Sequence, residues 1–433
     1  MRIYTYCLRI IVHEDYFLNI FSFSVILLVY DKIIFVLNFN SKPMQKVIST
    51  EKLPIKLWLD EPEEGALAQA RNLANLPFAF KHICLMPDTH QGYGMPIGGV
   101  LATENVIVPN AVGVDIGCGM CAVKTNIEAN GLKHKQLTRI MAEIRKLIPL
   151  GFKHQKEQQD ESLMPQGYNI DELVIVKREY LAALKQLGTL GGGNHFIELQ
   201  RSDDGFLWIM VHSGSRNFGL QVAEYYNKKA KKSNKIYYSL VEAKADLAFL
   251  PFETDEAHRY YKEMQYCTEF ALANRKLMMQ RIQQVVSSIL NNVVYEPMIN
   301  IAHNYAAWEN HFGTKVIVHR KGATSAKLGE LGIIPGSQGT KSYIVEGLGN
   351  PESFMSCSHG AGRVLSRKAA IRDLNLEEEK RKLDELGIIH SIRGKSDLEE
   401  ASSAYKDISQ VMVFQKDLVK IKVELSPLAV IKG

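Results

Sequence analysis

The 433 residues hold six cysteines, 14 prolines and three tryptophans, and the two signs of charge nearly cancel, with 52 Lys and Arg against 47 Asp and Glu. So few cysteines over this length exclude the disulfide framework of small secreted domains and favour reduced thiols, so a special cysteine would be a ligand or a nucleophile. After Met44 there is no internal repeat, low-complexity tract or Pro- or Ser-rich hinge, which argues for one domain. There is no acidic or basic tail, and a net charge of +5 permits a nucleic-acid partner without requiring one. What is present is ordinary for a globular chain: 46% hydrophobic and 23% charged residues exclude disorder.

Residues 1–43 depart from this composition, having neither glycine nor alanine. Phe17 to Tyr30 is mostly apolar but only 14 residues long, short of the roughly 20 a spanning helix needs. Extending the run to Phe39 takes in Asp31 and Lys32, and no small-residue cleavage site follows. The segment reads as a non-native extension from an upstream start codon, with a membrane-associated segment as the alternative. Residues 44–433 then form the working domain.

Within that domain, residues 61–76, 133–147 and 171–187 have helical spacing, and about 222–290 reads as a mostly helical insertion interrupted near Pro251. Strands are expected at 82–86, ending at a proline, as glycine-broken pieces over 95–124, at 206–211, and beyond Val316. The alternation is too irregular for repeated βαβ units, so the fold class is α+β: mixed sheets around a central cleft.

The glycines cluster with residues that bind metals or phosphates. G-V-D-I-G-C-G-M at 113–120 sets Asp115 and Cys118 three apart, where they can face one cation, or share two if the sulfur bridges. Cys118 and Cys121 also form a C-x-x-C, but no second pair completes a zinc ribbon, and Cys121 is more simply a small buried side chain. His195 in G-G-G-N-H-F-I-E, His212 in V-H-S-G-S-R and His303 in N-I-A-H-N-Y stand beside apolar, strand-like runs. Singly each would be an ordinary hydrogen-bonded histidine, as His134, His154, His258, His311 and His390 are taken to be; with Asp115 and Cys118 they make a ligand set. In the run from Pro335 to Arg363, Ser337, Gly339, Thr340 and Ser342 resemble a phosphate cradle, without the spacing of a Walker loop. His359 could attack phosphorus there, with Arg363 and Arg367 one and two helical turns on to hold phosphates; the plainer reading is a capped helix start with a buried histidine.

Together P-D-T-H-Q-G at 87–92, V-D-I-G-C-G-M, G-G-G-N-H-F-I-E, H-S-G-S-R, A-H-N-Y, P-G-S-Q-G-T-K-S-Y, S-H-G-A-G-R and the terminal A-V-I-K-G resemble the RtcB family of RNA-splicing ligases, in the family's order and over essentially all of 44–433. The resemblance implies a cytoplasmic enzyme, without membrane attachment, that joins RNA ends bearing a 3′-phosphate or 2′,3′-cyclic phosphate to 5′-hydroxyl ends, using GTP and two Mn²⁺. It implies Cys118 as a thiolate bridging both metals, with His195 and His212 completing one site and Asp115 and His303 the other. His359 would be the nucleophile that carries GMP. Asn194, Glu198, Ser337, Ser342, Tyr405 and Lys432 would contact the guanine nucleotide, Glu198 by accepting from guanine N1 and N2. Arg216, Arg363 and Arg367 would meet RNA or nucleotide phosphates, and Asp88 and His90 match a motif without an assigned role. An archease-type activator is a possible partner. The alternative is a metal-dependent end phosphatase or cyclic phosphodiesterase that does not seal. Asn217, Met355 and Cys357 vary from the pattern without removing a functional group.

Overall fold

The computed structural model describes residues 44–237 and 239–433, together with strands Val25–Tyr30 and Ile33–Asn38. The chain divides into two units, Met1–Lys42 and Pro43–Gly433. In the first, the two strands pair antiparallel with Tyr30 opposite Ile33; the rest of the expected leader lies outside the described residues. Among the described residues no helix is long and apolar enough to cross a membrane.

The second unit is built on two sheets. One has seven antiparallel strands, in the order Ile299–Ala302, Gly119–Glu128, Phe206–Ser213, Phe196–Ser202, Val419–Lys432, Ser342–Gly347, Leu331–Ile334. The other has six, Asn304–His311, Thr314–Lys321, Ile97–Thr103, Ala79–His90, Ile55–Leu57 and Lys46–Ile48, with one parallel pair between Ile55–Leu57 and Ala79–His90. Helices join one antiparallel and one mixed sheet without repeating βαβ order, the α+β class.

Local chemistry corrects three expectations. The strand expected to end at Pro87 runs on to His90; its pairing with the neighbouring strand is interrupted between Leu85 and His90, where a missing N–H breaks no ladder bond. The glycine-broken strands expected over 113–118 are a loop, because Gly113 and Gly117 take φ of +93° and +73°, outside extended geometry, and the strand starts only at Gly119. No helix follows His359 directly: Gly362 turns the chain at φ +75°, and the helix Arg367–Asp373 starts after Ser366, whose hydroxyl accepts from the Ala369 amide.

The segment expected as an insertion holds most of the helix Arg216–Ile236 and all of the helix Asp255–Ile289. Thr254 caps the latter through its side chain, and Asp255 and Glu256 suit the positive end of its dipole. It is not peripheral. Its first half buries Tyr260, Met264 and Phe270 against Phe218, Val222 and Tyr226, and its second half buries Met278, Ile282 and Val286 against Val123, Ile197 and Ile209 of the seven-stranded sheet. Each such side chain contributes roughly 1.5–3 kcal/mol of burial, so this long helix is the beam on which the seven-stranded sheet rests.

Candidate active site

A cavity of about 910 Å³ is lined by residues from both sheets, within the size range of small-molecule sites. At one end, strands and their loops deliver a cluster of donors. Cys118 immediately precedes the strand Gly119–Glu128, His212 lies near the end of Phe206–Ser213, His195 precedes Phe196–Ser202, and His303 sits between two strands. The Cys118 Sγ is 3.4 Å from His195 Nε2 and 3.3 Å from His212 Nε2, and these three ligand atoms lie within 4.8 Å of one another. His212 Nε2 faces His303 Nε2 at 3.1 Å, and Asp115 Oδ2 is 3.2 Å from His195 Nε2.

Burial, then the facing imidazoles His195 and His303, hold His212 well below the ordinary histidine value. Burial and the neighbouring His359 do the same to His303. Both therefore present neutral imidazole, the form that binds metals. Burial pushes the Cys118 thiol up, and Asp115 adds to it. Burial also acts against the Asp115 carboxylate, but the hydrogen bond and charge of His195 outweigh it and hold that carboxyl below its usual range. Outer contacts fix the rings: His212 Nδ1 donates to the Asn194 carbonyl at 3.1 Å, and Asn304 Oδ1 lies 3.3 Å from His303 Nδ1. Soft sulfur, imidazole nitrogen and one carboxylate, crowded around a point with few hydrogens to share, fit a borderline divalent cation. Cys121 is separate: it is buried and its thiol donates to the Arg275 carbonyl, so the C-x-x-C does not act as a pair.

His359 stands beside this cluster, its ring centroid 4.6 Å from that of His303. Asp88 on the six-stranded sheet orients it. Asp88 Oδ2 accepts from His359 Nδ1 at 2.6 Å, from the His359 amide at 3.0 Å and from the Gly360 amide at 3.3 Å. With Nδ1 engaged, Nε2 keeps its lone pair for the cavity. Gly362 is needed beneath, since a Cβ there would lie 2.7 Å from Asp88 Cα.

The other end of the cavity is charged. Glu198 is buried; one carboxylate oxygen accepts from Gln200 at 2.8 Å and the other has no partner. Burial pushes its carboxyl up to about 8, against the pull of Lys432. An orphaned buried acceptor is costly unless a ligand supplies a donor. Ser337 Oγ pairs with Thr340 Oγ1 at 3.0 Å within the expected cradle.

Comparison with known proteins follows the same outline. The family model described as "tRNA-splicing ligase RtcB" matches residues 69–433. The RNA-splicing ligase RtcB of Escherichia coli is 38% identical over 413 residues, covering 90% of this chain and 99% of its own length. The tRNA-splicing ligases RtcB of Nanoarchaeum equitans and Thermococcus kodakarensis are 33% and 31% identical, over 90% and 86% of this chain and 95% and 92% of their own lengths.

The chain belongs to the RtcB family.

In this RtcB-family chain the cavity gathers most of the residues singled out by motif: Asp115, Cys118, Asn194, His195, Glu198, His212, His303, Ser337, His359, Arg363, Arg367, Tyr405 and Lys432 all line it. Two do not. Ser342 is buried, its hydroxyl accepting from the Gly336 amide, and so shapes the cradle from behind. Arg216 donates to Thr189 Oγ1 at 3.0 Å and to the Gly151 carbonyl at 2.9 Å, tying two loops together. Sequence reasoning missed Glu400. Its carboxylate lies 3.2 Å from Arg363, 3.6 Å from Arg367 and 3.5 Å from Lys432, and accepts from the Tyr405 hydroxyl. The signal available was the acidic pair Glu399–Glu400 five residues before Tyr405, easily dismissed because a carboxylate repels phosphate.

Proposed function

We propose that this RNA ligase joins RNA 3′-phosphate or 2′,3′-cyclic phosphate ends to 5′-hydroxyl ends with GTP, through GMP carried on His359, in transfer-RNA splicing or RNA repair in the cytoplasm. The observation that carries the reading is the placement of His359: Nδ1 engaged by Asp88 at 2.6 Å, ring against His303 of the donor cluster. His359 Nε2 attacks the α-phosphorus of GTP and pyrophosphate leaves. Protonation of the imidazole then makes it a good leaving group as an oxygen of the RNA 3′-phosphate takes the GMP. The 5′-hydroxyl attacks the RNA phosphorus, and GMP departs with the electron pair. A cyclic end is first opened by water.

Cys118, Asp115, His195, His212 and His303 would hold two Mn²⁺, Cys118 between them, and those ions would supply neutralisation of phosphate charge. Glu198 selects guanine, Asn194, Ser337, Tyr405 and Lys432 hold the nucleotide, and Arg363 and Arg367 meet phosphate once Glu400 yields them. Incubation of a 2′,3′-cyclic-phosphate RNA and a 5′-hydroxyl RNA with GTP and Mn²⁺ should give the joined strand. Opened or dephosphorylated ends without a joined product would favour the non-sealing phosphatase instead.

A further inference from the structure

The long helix places two consecutive polar residues, Asn274 and Arg275, behind the donor cluster, both fully buried. Arg275 makes no ion pair with a carboxylate among the described residues. Its guanidinium instead donates to the Gly117 carbonyl at 3.0 Å, the Ser213 carbonyl at 2.7 Å, the Ile301 carbonyl at 3.1 Å and Asn300 Oδ1 at 2.8 Å. Gly117 immediately precedes Cys118, Ser213 immediately follows His212, and Ile301 is two residues before His303. Asn274 Oδ1 accepts from the Gly188 and Thr189 amides, and its Nδ2 donates to the Thr189 carbonyl, Ser213 Oγ and the Gly214 carbonyl. That second set anchors the start of the glycine loop leading to His195. The loops lie directly on the helix: a Cβ on Gly117 would stand 2.7 Å from Thr268 Cα.

A buried guanidinium without a counter-ion is expensive and persists only where its hydrogen bonds are well made. Here three of the four are spent on backbone beside three of the five candidate ligands. We propose that Arg275 is a positioning residue of the metal site, its planar fork setting the spacing of the Cys118, His212 and His303 segments before any ion arrives. Lysine could keep the charge, but not four bonds in one plane. This inference rests on the metal-site reading given above and deepens it.

Cobalt(II) is the probe, because a thiolate ligand gives a charge-transfer absorption that reports the Cys118 bond independently of turnover. Wild-type full-length protein, R275K, N300A and, as a control, R281K are titrated with cobalt(II), and thermal melting is followed in parallel. Arg281 is on the same helix but reaches the Gly188 carbonyl and Gln159, not carbonyls adjoining ligands. R275K should bind cobalt at least about tenfold more weakly, with a diminished charge-transfer band, in the range known for outer partners of metal ligands. N300A, which removes one acceptor of the fork, should weaken binding measurably but by less than R275K, and it carries the test if R275K does not fold. R281K should bind like wild type even where its melting temperature falls. Wild-type cobalt affinity and spectrum in a folded R275K, or in N300A when R275K does not fold, would overturn the positioning role, as would equal losses in R281K. Absence of the band from wild type itself would instead overturn the metal-site reading, and this inference with it.

Discussion

The two ends of the cavity are held in opposite ways. At the donor cluster Cys118, His195, His212 and His303 are buried, with one half-buried carboxylate, Asp115, beside them, and the segments that carry them are tied through backbone carbonyls to Asn274 and Arg275. At the other end, charges answer charges: Glu400 faces Arg363, Arg367 and Lys432, so the cations outnumber the carboxylate that pairs with them. A metal site demands fixed spacing, which backbone ties supply. The nucleotide we propose for the other end would benefit from cations held by a partner that can be displaced.

The contrast can be broken from either side. Replacing Cys118 with Ala should have the largest effect, removing metal binding, measured by manganese content, and with it guanylylation and sealing together. A variant with wild-type metal content and turnover would contradict the cluster's role. Asp88→Asn should leave metal content intact and slow formation of the GMP adduct by about 10²- to 10⁴-fold, the range for losing the partner that fixes a reactive imidazole; single-turnover labelling measures it. Glu198→Gln should weaken GTP by roughly 2 kcal/mol, about thirtyfold, and erode its preference over ATP, measured by competition binding.

The same Glu198 variant carries a pH signature. Since burial raises this carboxyl from 4.5 to about 8, the folded protein holds a proton the unfolded chain releases between those values, so the group costs stability increasingly as pH rises through that window. The nucleotide-free Glu198→Gln protein should therefore melt above wild type at pH near 8, with the gap closing toward pH 4.5. A gap independent of pH would deny the burial effect. The smallest effect is expected from removing residues 1–43, which we propose the reaction does not need. Ligation by the truncated protein should match the full chain, and loss of folding or sealing would show that the segment belongs to the enzyme.

Much of this candidate site was legible because its residues sit in short motifs, several of them glycine-flanked, that can be inspected one segment at a time. Cys118, His195, His212, His303 and His359 could be picked out that way. Residues that act across the fold could not. Asp88 and His359 are 271 positions apart, and only the approach of the six-stranded sheet joins them. Arg275 lies in a helix whose sequence looks like an ordinary amphipathic run, and its partners are main-chain carbonyls, which carry no side-chain signature. Arg216, singled out as a phosphate contact, is bonded to Thr189 and Gly151, partners no motif announced. The fold class was readable from irregular strand and helix spacing, whereas the central place of the helix Asp255–Ile289 was not, since length and charge alone do not tell a beam from an appendage.

The central claim is that metal and nucleophile occupy one cavity but separable parts of it. Incubating wild type and His359→Ala with α-labelled GTP and Mn²⁺, and measuring bound manganese in the same samples, tests it most directly. The account predicts an acid-labile covalent label on wild type, none on the variant, and equal metal in both. A label that persists without His359, or a wild type that takes none, would contradict it.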